Sequence, residues 1–363
     1  FQNSNLIILV FNTYEMSQCF DYDPIFYVKK TIENIKSNSS APIYCCGSIP
    51  TWYSNEIINL LNIDGCFIGE YENSIPSFIL RLKKDKNYKL KEKIIHPQLS
   101  FNLSELPLPS YHLVNLNLYG SEGVIENTPF LTTTSMLLNT RGCNYSCNFC
   151  HHKFFKFNSR SEKFVVSEME FILNNYKINN FFFLDYIFNN NSNRGMDICK
   201  GILDKKLNVS WICQTRIELL DNKIIEMMSK SGCKGIWLGI EDPFNSKKYN
   251  KNTSQDKTIK IIENLKKNNI IPFIFFMIDS TDDNSNNRIK EILNWVDNNN
   301  VFFTLSCLYI RPGTKLYEEF NLKSYFDMVQ HNNLRKNKFQ LLTNLKFIHS
   351  HPNYTKNLPV KNK

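Results

Sequence analysis

Three cysteines fall within eight residues, in the run Arg141-Gly142-Cys143-Asn144-Tyr145-Ser146-Cys147-Asn148-Phe149-Cys150. Thiolates are soft donors that ligate iron–sulfur clusters and zinc. Three of them on one short loop can each take one iron of a four-iron cubane. The fourth iron then lacks a protein ligand, and an open metal position marks chemistry rather than structure.

Other chemistries fit the same residues less well. Structural zinc asks for four closing donors, usually in two paired knuckles. Here His151 or His152 would have to be the fourth, and a second pair is absent. Cys147-Asn148-Phe149-Cys150-His151 also fits the haem-attachment pattern, which expects an exported protein and has no use for Cys143. A C-x-x-C redox pair leaves Cys143 idle as well. Three buried, unliganded cysteines do not suit a loop carrying Asn144, Ser146 and Asn148. The cluster reading employs all three thiols.

Such a loop needs elements to hold it. Between 131 and 317 strand and helix signals alternate. Strand candidates are Thr134–Asn139, Phe181–Leu184, Val209–Cys213, Gly235–Gly239, Pro272–Ile278 and Phe302–Leu308. Helical spacing falls between them at Val165–Tyr176, Lys223–Ser231, Gln255–Lys267 and Asn287–Asp297. Six βα-type repeats predict a full or partial (β/α) barrel with its site at the C-terminal strand ends, and the cysteine loop follows the first strand. Residues 6–80 alternate in the same way, through Leu6–Phe11, Pro42–Cys46 and Cys66–Ile68, which predicts an open parallel sheet. Its ligand-facing strand ends would carry Cys46-Gly47-Ser48 and Gly69-Glu70. The charged Lys83–Lys93 and the proline-punctuated Leu106–Pro109 read as a linker. The expected organisation is 1–82, a linker 83–130, a core 131–317 and a basic tail 318–363.

Composition bounds the rest. The chain has 363 residues, 42% hydrophobic and 21% charged, which excludes a wholly disordered or collagen-like chain. Its apolar runs are far short of the roughly 20 residues of a membrane helix. The eleven cysteines are odd in number and mostly sit in apolar segments, and there is no basic-then-apolar leader. Together these predict a reducing, cytoplasmic setting with free or metal-bound thiols. The opening Phe1 reads as the interior of a larger protein. Lys and Arg exceed Asp and Glu by 43 to 34, and seven of the nine excess charges lie in 335–363. That stretch reads as a solvated end rather than a nucleic-acid-binding arm.

C-x3-C-x2-C with an aromatic before the third cysteine resembles the signature of radical S-adenosylmethionine enzymes. Further likeness runs over roughly 6–317: Arg160-Ser161 with Val165, Val166 and Glu168; Phe182-Phe183-Leu184-Asp185; Gln214-Thr215-Arg216; Gly232 to Glu241; and Arg311-Pro312-Gly313-Thr314. Cys46-Gly47-Ser48-Ile49-Pro50-Thr51, Asp64 to Glu72 and Leu106 to His112 resemble the branch with an N-terminal cobalamin-binding domain and its linker. The resemblance implies an α/β fold: a partial (β/α)6 TIM-like barrel preceded by a truncated Rossmann-like cobalamin-binding domain.

It also implies a [4Fe-4S] cluster on Cys143, Cys147 and Cys150 that cleaves S-adenosylmethionine reductively to a 5′-deoxyadenosyl radical. That radical takes hydrogen from a small-molecule or peptide substrate. A reductant such as flavodoxin or ferredoxin supplies the electron, and the outcome is cobalamin-dependent methyl transfer or cyclisation. Phe149, Asp185, Arg216 and Glu241 would contact the cosubstrate, and Gly47, Ser48 and Gly69 the cobalamin. Tyr111 and His112 read as linker packing. An alternative is a non-catalytic iron–sulfur or metal-binding protein with a degenerate pocket. The chain departs from the family's pattern where Gly-x-Pro-Gly-Glu-Thr is common and Asp279-Ser280-Thr281-Asp282-Asp283-Asn284 stands instead. It also has Cys46 and Tyr71 at glycine positions and lacks an Asp-x-His-x-x-Gly motif.

Overall fold

The computed structural model describes residues 3–11, 24–84, 92–97, 102–118, 134–154, 156–191, 193–343 and 348–350. Much of the charged linker stretch, residues 119–133 and tail residues 351–363 lie outside the described residues. The chain divides into two compact units, 1–101 with 317–333, and 102–316 with 334–363.

The first unit carries β1 (Ile7–Val10), α1 (Pro24–Lys36), β2 (Ile43–Cys46), α2 (Ser48–Leu61), β3 (Gly65–Phe67), α3 (Ser74–Lys84) and β4 (Ile94–Ile95). The four strands pair in sequence order, all parallel. Alternate residues of β2 serve opposite faces. Ile43 and Cys45 pack with Ile32, Ile35, Ile57 and Leu61 of α1 and α2. Tyr44 and Cys46 pack with Phe67 and with Phe78 of α3. Both faces are therefore covered, as a parallel sheet requires.

The second unit contains β5 (Thr134–Leu137), β6 (Thr140–Arg141), β7 (Asn158–Ser159), α4 (Glu162–Tyr176), β8 (Asn180–Phe183), α5 (Arg194–Asp204), β9 (Ser210–Thr215), α6 (Asn222–Lys230), β10 (Cys233–Glu241), α7 (Gln255–Lys267), β11 (Ile271–Ile278), α8 (Ser285–Asn299) and β12 (Phe302–Cys307). α9 (Lys315–Glu319), α10 (Tyr325–Thr343) and β13 (Ile348–Ser350) follow. All six expected strands form, in the sheet order β13-β12-β11-β10-β9-β8-β5. Neighbours are parallel except β13, which runs antiparallel to β12. The sheet does not close on itself. Among the described residues β5 pairs only with β8, and β13 occupies the far edge.

One sheet face meets the helices through Phe181, Phe183, Trp211, Leu238, Ile274 and Phe303. The opposite face carries a second apolar layer of Phe182, Ile212 and Phe273, against which Trp237 and Phe275 pack. Helix starts are set by side-chain caps: Ser161, Asp221 and Ser254 accept from the N–H groups of Phe164, Ile224 and Lys257. Helix α5 was not expected, because its entry is an asparagine-rich run with little apolar period. No helix among the described residues is long and apolar enough to cross a membrane.

The expectation of a solvated basic end is corrected at its first residue. Arg335 is 1% exposed, pairs with Asp279 at the end of β11, and its carbonyl accepts from the Ser280 hydroxyl at 2.6 Å. The sequence that departs from the family pattern after β11 is thus occupied with holding α10. Burial would raise the Asp279 carboxyl, but the Thr281 hydroxyl and the Arg335 guanidinium outweigh it and hold Asp279 below the usual carboxylate range. A depressed folded pKa contributes stability that is present above the unfolded value and is lost as pH falls through the folded one. Asp279→Asn is expected to cost roughly 3 kcal/mol by leaving Arg335 buried without its counter-charge. It should also flatten the loss of stability below about pH 4, where an unperturbed aspartate titrates. Urea unfolding at pH 7 and pH 3 measures both.

Candidate active site

The cysteine loop departs from the sheet at a neck that other elements fix. Asp185, just past β8, is fully enclosed, and its Oδ1 accepts from the N–H groups of Asn139 and Thr140 at 2.7 and 2.8 Å. The Arg160 N–H donates to the Asn139 carbonyl at 2.9 Å, and β6 pairs antiparallel with β7 just beyond. Residues 142–157 are therefore an excursion closed at its base. Arg194, from the start of α5, lies 3.8 Å from Asp185 and donates to the Arg160 carbonyl at 2.7 Å. Burial raises the Asp185 carboxyl and lowers the Arg194 guanidinium, and each opposes the other's shift.

Oδ1 of Asp185 is thus engaged with the loop neck, while Oδ2 has Arg194 at 3.8 Å and no hydrogen-bond partner. The linker residues also turn inward. Arg160 donates to the Leu106 and Pro107 carbonyls at 3.0 and 3.1 Å, and the Tyr111 hydroxyl donates to Glu168 at 2.7 Å from within the core. His112 is exposed.

The outer part of the loop lies against the ends of β9, β10 and β12. Asn148 donates to the Lys248 carbonyl at 2.6 Å, and Asn250 donates back to the Ser146 carbonyl at 2.7 Å. The Leu316 N–H donates to the Asn148 carbonyl at 3.3 Å. The Phe149 ring meets Tyr249 edge-on at 5.6 Å, so its nearest described aromatic partner is a protein ring. Arg216, following β9, donates to the Cys147 sulfur at 3.1 Å and to Glu218 at 2.8 Å, with its guanidinium 4.3 Å from the Tyr145 ring centroid.

Glu241 closes β10 at a bulge, where the register to β11 shifts between Gly239 and Glu241. Its φ is +61°, a left-handed conformation that costs a side-chain-bearing residue about 1–3 kcal/mol and is kept where the surroundings enforce it. Lys251 pairs with it. Sequence reasoning missed Lys251. The available signal was one of three lysines, Lys247, Lys248 and Lys251, in the polar loop after β10, which does not stand out in a chain this rich in lysine.

The three thiols are half-buried and form no disulfide. Burial pushes Cys150 up to about 11, opposed by the Arg311 charge. Cys143 is raised chiefly by burial, with Arg216 and Lys251 pulling it down. Burial also keeps His151 and His152 neutral, and His152 stacks on Tyr186 at 3.5 Å. Among the described residues no three His, Cys, Asp or Glu side chains converge on a single-ion site. A cluster that draws one iron to each thiol does not require the sulfurs to meet at a point. Three buried polar atoms beside the loop lack hydrogen-bond partners: Asn148 Oδ1, His151 Nδ1 and Arg216 Nε. Buried polar atoms left unpaired are costly, so their gathering here fits a polar ligand.

In the first unit, Gly47 (φ +114°) and Gly69 (φ +67°) end adjacent parallel strands in backbone conformations that favour glycine. Thr51 ties them together: its hydroxyl donates to the Gly47 carbonyl at 2.6 Å and accepts from the Gly69 N–H at 2.9 Å. Ser48 begins α2 beside them. Cys46, one of the departures, is the last residue of β2, and its side chain is fully buried in the core.

Residues 138–296 match the Radical SAM superfamily. An uncharacterized methyltransferase of Pyrococcus horikoshii, PH0819, is 28% identical over 249 residues, covering 66% of this chain and 51% of the relative. The chain spans about half the length of the curated relatives it matches. Among solved structures, the radical S-adenosylmethionine methyltransferase TsrM from Kitasatospora setae, with cobalamin and a [4Fe-4S] cluster bound, aligns at TM-score 0.65 and 13% identity, over 87% of this chain and 66% of that one. The cobalamin-dependent S-adenosylmethionine radical enzyme OxsB aligns at TM-score 0.60 and 20% identity, over 92% of this chain and 48% of that one. At such identities the likeness is one of fold.

Replacing Asp185 by alanine should free the Asn139 and Thr140 amides. Hydrogen exchange at those two positions is expected to quicken at least tenfold, with a stability loss of roughly 2–3 kcal/mol for an orphaned Arg194. Unchanged exchange at the neck would show that the loop is held elsewhere.

Proposed function

From residues 138–296, which form a domain of the Radical SAM superfamily, we propose that this chain is the cluster-bearing part of a radical S-adenosylmethionine methyltransferase that also uses cobalamin. The observation that carries the reading is the three-cysteine loop, fixed at its neck by Asp185 and set against the strand ends with Arg216 on Cys147.

Cys143, Cys147 and Cys150 would each hold one iron of a [4Fe-4S] cluster. When bound, the cluster supplies an electron and an iron corner open to the amino and carboxylate groups of S-adenosylmethionine. Arg216 presents a guanidinium beside the loop, with its Nε unspent, and such a fork suits a carboxylate. Glu241, paired with Lys251, keeps carboxylate lone pairs that can accept from a ribose hydroxyl or an amine. Phe149, seated on Tyr249, supplies an apolar edge for the adenine. The aromatic layer of Phe182, Trp237, Phe273 and Phe275 keeps water from the sheet face beneath.

In the first unit, Gly47 and Gly69 offer bare backbone at adjacent strand ends, with Ser48 beside them. Parallel α/β sheets take ligands at such an edge, and this is where a cobalamin would lie. Methyl transfer to a carbon of a small molecule or peptide, with the electron from a flavodoxin- or ferredoxin-like donor, follows from this pairing of cofactors.

Anaerobic reconstitution tests the reading. The protein is expected to bind four irons, to convert S-adenosylmethionine to methionine and 5′-deoxyadenosine or a methylated product when reduced, and to bind hydroxocobalamin. Cys147→Ala should abolish the cluster absorbance. Arg216→Met should weaken cosubstrate binding by about tenfold, the worth of one charge-assisted hydrogen bond. A protein that assembles the cluster but neither binds nor cleaves S-adenosylmethionine is instead a non-catalytic iron–sulfur protein.

A further inference from the structure

Lys251 is 7% exposed, and a buried lysine must be paired. Its Nζ donates to the Gly239 carbonyl at 2.6 Å and forms an ion pair with Glu241 Oε2. It thus bridges the residue before the bulge in β10 to the residue after it. The loop that delivers it is itself braced. The Lys251 N–H donates to the Ser246 carbonyl at 3.1 Å, and the Ser246 hydroxyl donates to the Thr253 carbonyl at 2.9 Å. Space around the pair is tight. A Cβ on Gly239 would stand 2.7 Å from Glu241 Oε1 and 3.0 Å from Lys251 Nζ.

We propose that Lys251 is a positioning residue of this site, holding Glu241 in its left-handed conformation at the end of β10, where its carboxylate faces the cosubstrate. This rests on the role given above to Glu241. A lysine here neutralises a buried carboxylate, which an uncharged hydrogen-bond donor could not do.

The test uses the full-length, reconstituted protein and needs no turnover. Lys251→Met, Lys251→Arg and Gly239→Ala are compared with wild type by iron and sulfide content and by equilibrium binding of S-adenosylmethionine. Lys251→Met is expected to keep its iron and to bind S-adenosylmethionine at least tenfold more weakly. Lys251→Arg, which keeps the charge, should restore most of the affinity. Gly239→Ala, which keeps both charges but crowds the pair, should weaken binding. Wild-type affinity in Lys251→Met, or no recovery in Lys251→Arg, overturns the proposal. If Lys251→Met assembles no cluster, Gly239→Ala decides, and unaltered affinity there overturns it. A wild-type protein that assembles no cluster, or binds no S-adenosylmethionine, fails the functional reading itself.

Discussion

The second unit depends on a carboxylate that never sees solvent. Asp185 accepts from two consecutive backbone N–H groups at the point where the chain leaves β5 for the cysteine loop. An enclosed carboxylate is tolerable only when its charge and lone pairs are met. Arg194 meets the charge, and by donating to the Arg160 carbonyl it also ties the returning strand of the loop to α5. One buried pair therefore fixes both ends of an excursion that carries three thiols. Two apolar residues of the same volume could be as stable, but they would leave the Asn139 and Thr140 amides without acceptors and the neck unfixed.

Past the neck, neutral side chains take over. Asn148 and Asn250 exchange amide donors for backbone carbonyls across 100 and 104 residues of sequence, binding the cysteine loop to the loop after β10. That join brings the thiols to the strand end where Glu241 is strained. The strain is local, and the lysine that offsets it comes from the loop that Asn250 belongs to. A change in this loop would therefore be felt at both the acid and the sulfurs.

The first unit reaches similar order by simpler means. A threonine hydroxyl, donating one way and accepting the other, spans two strand ends whose glycines have no side chains to do it. Close approach by a large planar ligand and a short hydrogen-bonded brace are compatible there because neither needs a Cβ at Gly47 or Gly69.

The amino-acid sequence by itself determined the three-cysteine loop and the order of six strands in the second unit. Parallel strands covered on both faces read as uninterrupted apolar runs such as Phe181–Leu184 and Pro272–Ile278, and a thiolate triad is a matter of residue type and local spacing. Only the tertiary structure decided what each charged residue does. Asp185 stands at a strand end, and its hold on the loop neck depends on amides 46 and 45 residues away. Arg335 read as part of a solvated end until Asp279, 56 residues earlier, proved to be its partner. Lys251 carried no signal at all. Local spacing reports which groups are present, but the partner of a buried charge is chosen by long-range packing, and it is the partner that separates a ligand-binding acid from a structural one.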